Sequence, residues 1–175
     1  MEFTATSKGW FFYFQHILKG VILLQLTEHF ALSEFTATST GLPNIPSDIE
    51  IERIKRLAKM LEEVREVLGH PIMISSGFRS ELVNRAVGGS DNSAHLLGLA
   101  ADITSPGFGA PLNVCMAIIE SGMRFDQIIN EYKRREDGSI SNWVHFGLGA
   151  KNRQQVMTKP VDSKRYVPGI RDGSA

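Results

Sequence analysis

The sequence predicts an α+β fold, a small antiparallel sheet with flanking helices. Three observations carry that expectation. A long amphipathic helix is written between Ser47 and Gly69. Several apolar runs of strand length follow it, and two of them flank an Asp137-Gly138 turn signal. Helical and extended patterns are also segregated, where a doubly wound sheet would alternate them.

Taken in order, the chain opens on a hydrophobic run from Trp10 to Leu24, broken by Gln15, His16 and Lys19. A spanning helix wants about 20 mostly apolar residues. A signal peptide wants a basic start and a small-residue cleavage site. Residues 1–25 fit neither well and are expected to form a hydrophobic extension with at most weak membrane association. The hexapeptide EFTATS occurs at Glu2–Ser7 and again at Glu34–Ser39, too short a repeat to imply a repeat architecture. Thr27 to Ser47 reads as a turn-rich lead-in holding Pro43 and Pro46. Ser47 and Glu50 then form a capping-box pattern. Ile51, Ile54, Leu57, Leu61, Val64 and Leu68 recur with helical period, and Gly69 and Pro71 close the helix. Ile72–Ile74 reads as a buried strand, Ser75–Ser80 as a turn and Glu81–Val87 as a short helix. Ser90–Ala94 is a polar loop and Leu99–Thr104 a strand. Pro111–Ser121 is a helix with proline in its first turn and Gly122 behind it. Gln127–Tyr132 and Trp143–Leu148 are paired strands across KRREDGSISN.

The chain has 175 residues, which suits one domain, and 42% are hydrophobic, enough for a packed core. Lys and Arg total 19 and so do Asp and Glu. Without a basic excess, a nucleic-acid partner is not expected. After Leu148, six basic residues face only Asp162 and Asp172. Residues 159–175 are therefore expected to be a solvated basic tail behind a domain spanning 26–158, and a mild attractor for anionic polymers. Cys115 is alone, so no intrachain disulfide forms. Its setting in LNVCMAII makes it a buried structural thiol.

The chemistry concentrates in Ser93–Asp102, SAHLLGLAAD. A catalytic zinc needs three protein ligands and an open position. In an unbroken strand His95 and Asp102, seven apart, would face opposite sides. Gly98 between them permits a bend or bulge that re-aims His95. A third ligand must come from elsewhere. His16 and His29 lie in the N-terminal part, and His70 suits a helix end. His145, in Trp143-Val144-His145-Phe146, shares a strand face with Trp143 and is the best candidate.

Three blocks in this order, SSGFRS at Ser75–Ser80, the Ser93–Asp102 segment and Trp143-Val144-His145, resemble the M15 family of zinc D,D-peptidases. The resemblance is greatest to small D-Ala-D-Ala carboxypeptidase-like domains of bacteria and phages. The lead-in HFALSEFTATSTG and the trailing KNRQQVMT share it. It implies a Hedgehog/DD-peptidase-like α+β fold and one Zn2+ held by His95, Asp102 and His145. It also implies hydrolysis of peptidoglycan stem peptides, of carboxypeptidase or endopeptidase type. The motif arginine falls on Arg79, which would bind a substrate carboxylate, steady an oxyanion, or form a structural salt bridge. Ser93 would donate to substrate or stabilise its loop. Trp143, Phe78 and Tyr132 are candidates to line the groove. Many members carry an acid three residues before the last ligand, and here that position is Asn142. Glu131 is the substitute general base, with Asp126 the next choice. The expected partner is a peptidoglycan peptide as substrate of a monomeric protein, in the periplasm or extracellular cell wall, or in the cytoplasm until lysis for a phage product. The alternative is a non-catalytic zinc-binding or wall-binding module, such as a phage structural component.

Overall fold

A computed structural model describes residues 24–174. Almost all of the hydrophobic extension expected at 1–25, including His16 and the first EFTATS, lies outside the described residues. Among those described, no helix is long and apolar enough to cross a membrane.

The fold is α+β. Strands β1 (Met73–Ser76), β2 (Ala100–Thr104), β3 (Gln127–Arg134), β4 (Ile140–Gly147), β5 (Gln155–Lys159) and β6 (Val167–Pro168) form one sheet. Their spatial order is β1-β2-β4-β3-β5-β6. Neighbours are antiparallel except β3 and β5, which run parallel. Helices α1 (Leu32–Thr36), α2 (Asp48–Leu68), α3 (Glu81–Ala86) and α4 (Pro111–Glu120) complete the regular structure.

Helix α2 begins as its sequence dictates. The Glu50 carboxylate accepts a hydrogen bond from the Ser47 backbone N–H (2.7 Å), and Gly69 ends the helix in the left-handed region. Its buried stripe of Ile54, Leu57, Ala58, Leu61, Val64 and Leu68 joins Val114, Cys115 and Ile118 of α4. Both helices cover one face of the sheet, where Ala101, Ile103, Ile128, Val144 and Phe146 are buried. Burying each large apolar side chain there contributes roughly 1.5–3 kcal/mol. Cys115 sits in this core, and burial pushes its thiol up to about 12. The thiol is therefore protonated and enclosed by apolar side chains at neutral pH.

Three expectations change. The lead-in holds the short helix α1, whose Leu32 and Phe35 are fully buried beside Phe30. With five residues, α1 carries too few turns for a periodicity signal. The strand at 72–74 is an edge strand shifted to Met73–Ser76, not a buried one, and Met73 is 60% exposed. An edge has no neighbour to cover its outer side chains. The domain boundary placed at 158 falls inside β5, which pairs with β3 from Gln127↔Gln155 to Glu131↔Lys159. Beyond it, Val161 N–H bonds Gly173 C=O (2.8 Å), and Asn130 Nδ2 donates to Arg171 C=O (3.0 Å). Much of the basic tail is therefore folded against the sheet. Its pairing with β3 is non-local and left no short-range signal.

The turn in SSGFRS is where α1 meets β1. A Cβ on Gly77 would stand 2.5 Å from Phe35 O and 2.6 Å from Phe35 Cα, both fixed backbone atoms. Gly77→Ala should therefore lower stability by about 1–3 kcal/mol, as overpacking does. Urea unfolding followed by circular dichroism checks this, and an unchanged midpoint would contradict so close an approach.

Candidate metal centre

Strand register brings the site together. On the sheet face away from α2 and α4, one row runs Ser76 (β1), Asp102 (β2), His145 (β4), Ile129 (β3) and Met157 (β5). The next row holds Trp143, Glu131 and Lys159 on β4, β3 and β5. Together with the 75–94 segment these residues line an open groove of about 810 Å³.

His95 arrives differently from the strand bend expected of it. It lies on a 3-10 turn, Ala94–Leu97, that ends at Gly98 with φ +68°. The Ser93 hydroxyl starts that turn by accepting from His95 N–H (3.3 Å). A side chain at 98 would be strained at this φ. Its Cβ would also stand 3.0 Å from Glu50 O and from Ile54 Cγ1 on α2. Gly98 therefore aims His95 by ending a turn against α2, after which the chain enters β2 and presents Asp102.

His95, Asp102 and His145 are buried, and their ligand atoms lie within 4.8 Å of one another. His95 Nδ1 is 2.6 Å from Gly77 O. A carbonyl only accepts, so Nδ1 carries the proton and Nε2 presents a lone pair. Burial lowers the His95 pKa, favouring the neutral ring. The lone pair faces Asp102 Oδ1 at 3.2 Å. For Asp102, burial alone would raise the pKa, but its polar surroundings hold it far below the usual carboxylate range, so it is ionised. Two acceptors therefore face each other. His145 Nδ1 is 3.1 Å from His95 Nε2 and 3.1 Å from Asp102 Oδ1, and one proton cannot serve both. A cation between the three removes the conflict. The edges of 3.1–3.2 Å approach the roughly 3.3 Å separating ligand atoms in a tetrahedral site with bonds of about 2.0–2.1 Å. The donor set is fit to hold a divalent metal ion.

Arg79 donates from Nη2 to Asp102 Oδ2 (2.7 Å) and from Nε to Ser76 Oγ (2.9 Å). Here its guanidinium forms the salt bridge and fixes Asp102 so that Oδ1 points inward. Ser75 Oγ donates to Asp102 C=O (3.1 Å). Ser76 and the Gly77 carbonyl escaped the sequence reading, although both lie in the motif that named Arg79.

Strand alternation decides the acids. Asn142, an odd three residues before His145, lies on the other face of β4. It donates to Asn130 Oδ1 (2.8 Å) and Glu131 C=O (2.9 Å). Glu131 lines the groove directly across from Trp143. Asp126 does not line it, because Arg153 occupies both its oxygens through Nε (3.1 and 3.0 Å). Tyr132 also leaves the groove, one residue from Glu131 and so on the opposite face, where Asn130 Nδ2 donates to its hydroxyl (3.1 Å). Phe78 and Trp143 line the groove, and Trp143 Nε1 is buried without a hydrogen-bond partner. Two other histidines are engaged elsewhere. His29 Nδ1 meets Glu62 Oε2 (2.8 Å), and His70 Nδ1 meets Leu68 O (2.8 Å) at the helix end.

Hydrogen bonding from Arg153 holds the Asp126 carboxyl below its ordinary range. A carboxyl depressed on folding stabilises above its unfolded pKa, about 3.9, and loses that contribution as pH falls through the folded value. The melting-temperature gap between wild type and Asp126→Asn should thus be present at neutral pH and close in strong acid. A gap independent of pH would refute the ion pair. For the donor set, His145→Ala should abolish stoichiometric zinc binding, read by native mass spectrometry.

The family profile described as Peptidase M15 matches residues 27–135. That span contains Arg79, His95, Asp102 and Glu131 and stops before Trp143 and His145. No curated protein matches the chain significantly. The profile covers more than half of the chain, which therefore belongs to peptidase family M15, a family of metallopeptidases.

Proposed function

We propose that the protein is a zinc metallopeptidase that hydrolyses peptide bonds in peptidoglycan stem peptides, as a D-Ala-D-Ala carboxypeptidase or an endopeptidase. One observation carries the reading. Three metal-binding donors converge on the floor of an open groove, with the Glu131 carboxylate on the same face of the sheet.

Two imidazoles and one carboxylate are a donor set suited to zinc with an open position. Zinc held by His95, Asp102 and His145 would polarise the scissile carbonyl and acidify the attacking water. The protein's own residues do the rest. Glu131 removes the proton as water oxygen bonds to the carbonyl carbon. It returns that proton to the nitrogen as the C–N bond breaks. Arg79 keeps Asp102 oriented, and the Gly77 carbonyl keeps the His95 tautomer. Trp143, the cross-strand neighbour of Glu131, offers an aromatic surface beside it on the groove floor. Asn142 does not speak for a non-catalytic module, because its side chain lies behind the sheet, bonded to Asn130.

Zinc-loaded protein incubated with purified peptidoglycan should release D-Ala or create new amino termini. No product at any zinc loading would end the peptidase reading. Glu131→Gln should cut turnover by about 10²–10⁴-fold, the usual worth of a general base. Zinc stoichiometry should stay unchanged. Full activity in that variant would remove Glu131 from the mechanism.

A further inference from the structure

Basic side chains outnumber acids around the groove. Arg79, Lys133, Arg153 and Lys159 line it against only Asp102 and Glu131. Two of these cations are committed. Arg79 is bound to Asp102 and Arg153 to Asp126. The other two flank Glu131. Lys159 is its register partner on β5, with Nζ 3.6 Å from Glu131 Oε2. Lys133 lies two residues along β3, on the same face, and makes no ion pair among the described residues. Tyr166 closes this end, its ring centroid 5.8 Å from Lys159 Nζ. Two ammonium groups beside one carboxylate leave a positive charge for a ligand.

Resting on the peptidase reading above, the geometry points to Lys133 and Lys159 as a carboxylate subsite. The substrate peptide would carry a free carboxylate near the bond that is cut. Ammonium groups suit this because they pair with a carboxylate as mobile point charges. Hydrogen bonds between a charged donor and a carboxylate are stronger than neutral ones, and Lys159 is half-buried while Lys133 is exposed. In a lysine-containing stem peptide the carboxylate has two sources, the C-terminus and the α-carboxyl of a γ-linked D-Glu.

The test compares three peptides on the zinc-loaded protein. They are L-Ala-γ-D-Glu-L-Lys-D-Ala-D-Ala as the free acid, its C-terminal amide, and its D-isoglutaminyl form. The masked form that removes the recognised carboxylate should lose roughly ten-fold or more in kcat/KM, chiefly through KM. The form that suffers identifies the source. Lys133→Gln and Lys159→Gln should each shrink the ratio between acid and masked peptide toward one. That ratio is the reading, since Lys159→Gln also alters the surroundings of Glu131 and would slow all three peptides together. Equal kcat/KM for the three peptides in wild type, or unchanged ratios in both variants, would overturn the subsite while leaving the peptidase reading intact. Cleavage of none of the three would count against the peptidase reading instead. The subsite is then read by calorimetry with reduced-bond analogues of the three peptides, where equal Kd values overturn it.

Discussion

Asp102 divides its two oxygens between opposite demands. Oδ1 faces His95 and His145, and Oδ2 accepts from Arg79. Neither assignment works without the register that sets Asp102 beside His145 on β4 and Ser76 on β1. A slip of one residue between β2 and β4 would send a ligand to the core face, and one between β1 and β2 would turn Ser76 away from Arg79, because the side-chain period of a strand is two. That register is held from the other side of the sheet. Ala101, Ile103, Val144 and Phe146 are buried there against α2 and α4. The hydrophobic core thus fixes the position of groups it does not touch, and the long helix α2, remote from the donors, is part of what orients them.

Much of this was legible in the chain. The stripe on α2, the hairpin signalled by Asp137-Gly138 and the alternation placing Trp143 with His145 are local patterns, and each lies where local rules put it. Gly98 was legible as an interruption but not as the device it is. A turn ending in the left-handed region and a strand bulge both ask for glycine, and only the packing against Ile54 and Glu50 separates them. The C-terminal strands were not legible, since the parallel pairing of β5 with β3 joins segments with β4 between them in the chain. Charge made Lys159 look like part of a solvated tail. Its backbone pairing sets it beside Glu131.

Asn142 shows how a sequence offset misleads when the element is not a helix. Three residues before a ligand is close in a helix and opposite in a strand. On β4 that offset points away from the groove into the Asn130–Tyr132 network. An acid at 142 in this register would sit behind the sheet. The cross-strand position of Glu131 reaches the face that the donors occupy, although in the chain it lies much farther from His145 than Asn142 does.

The groove is built from two kinds of sequence. His95, Asp102, Arg79 and Glu131 come from the segment that the family profile matches, and the third donor, His145, lies just beyond it. Met157, Lys159 and Tyr166, which form its far wall, come from residues outside that match. The buried triad tolerates little change, because each atom is tied to a fixed partner. The far wall hangs on a short parallel strand and the two-residue β6, where substitutions alter charge without moving a donor. The far wall of the groove is therefore set by the C-terminal segment, whose strand β5 reaches the donor-bearing β4 only through β3.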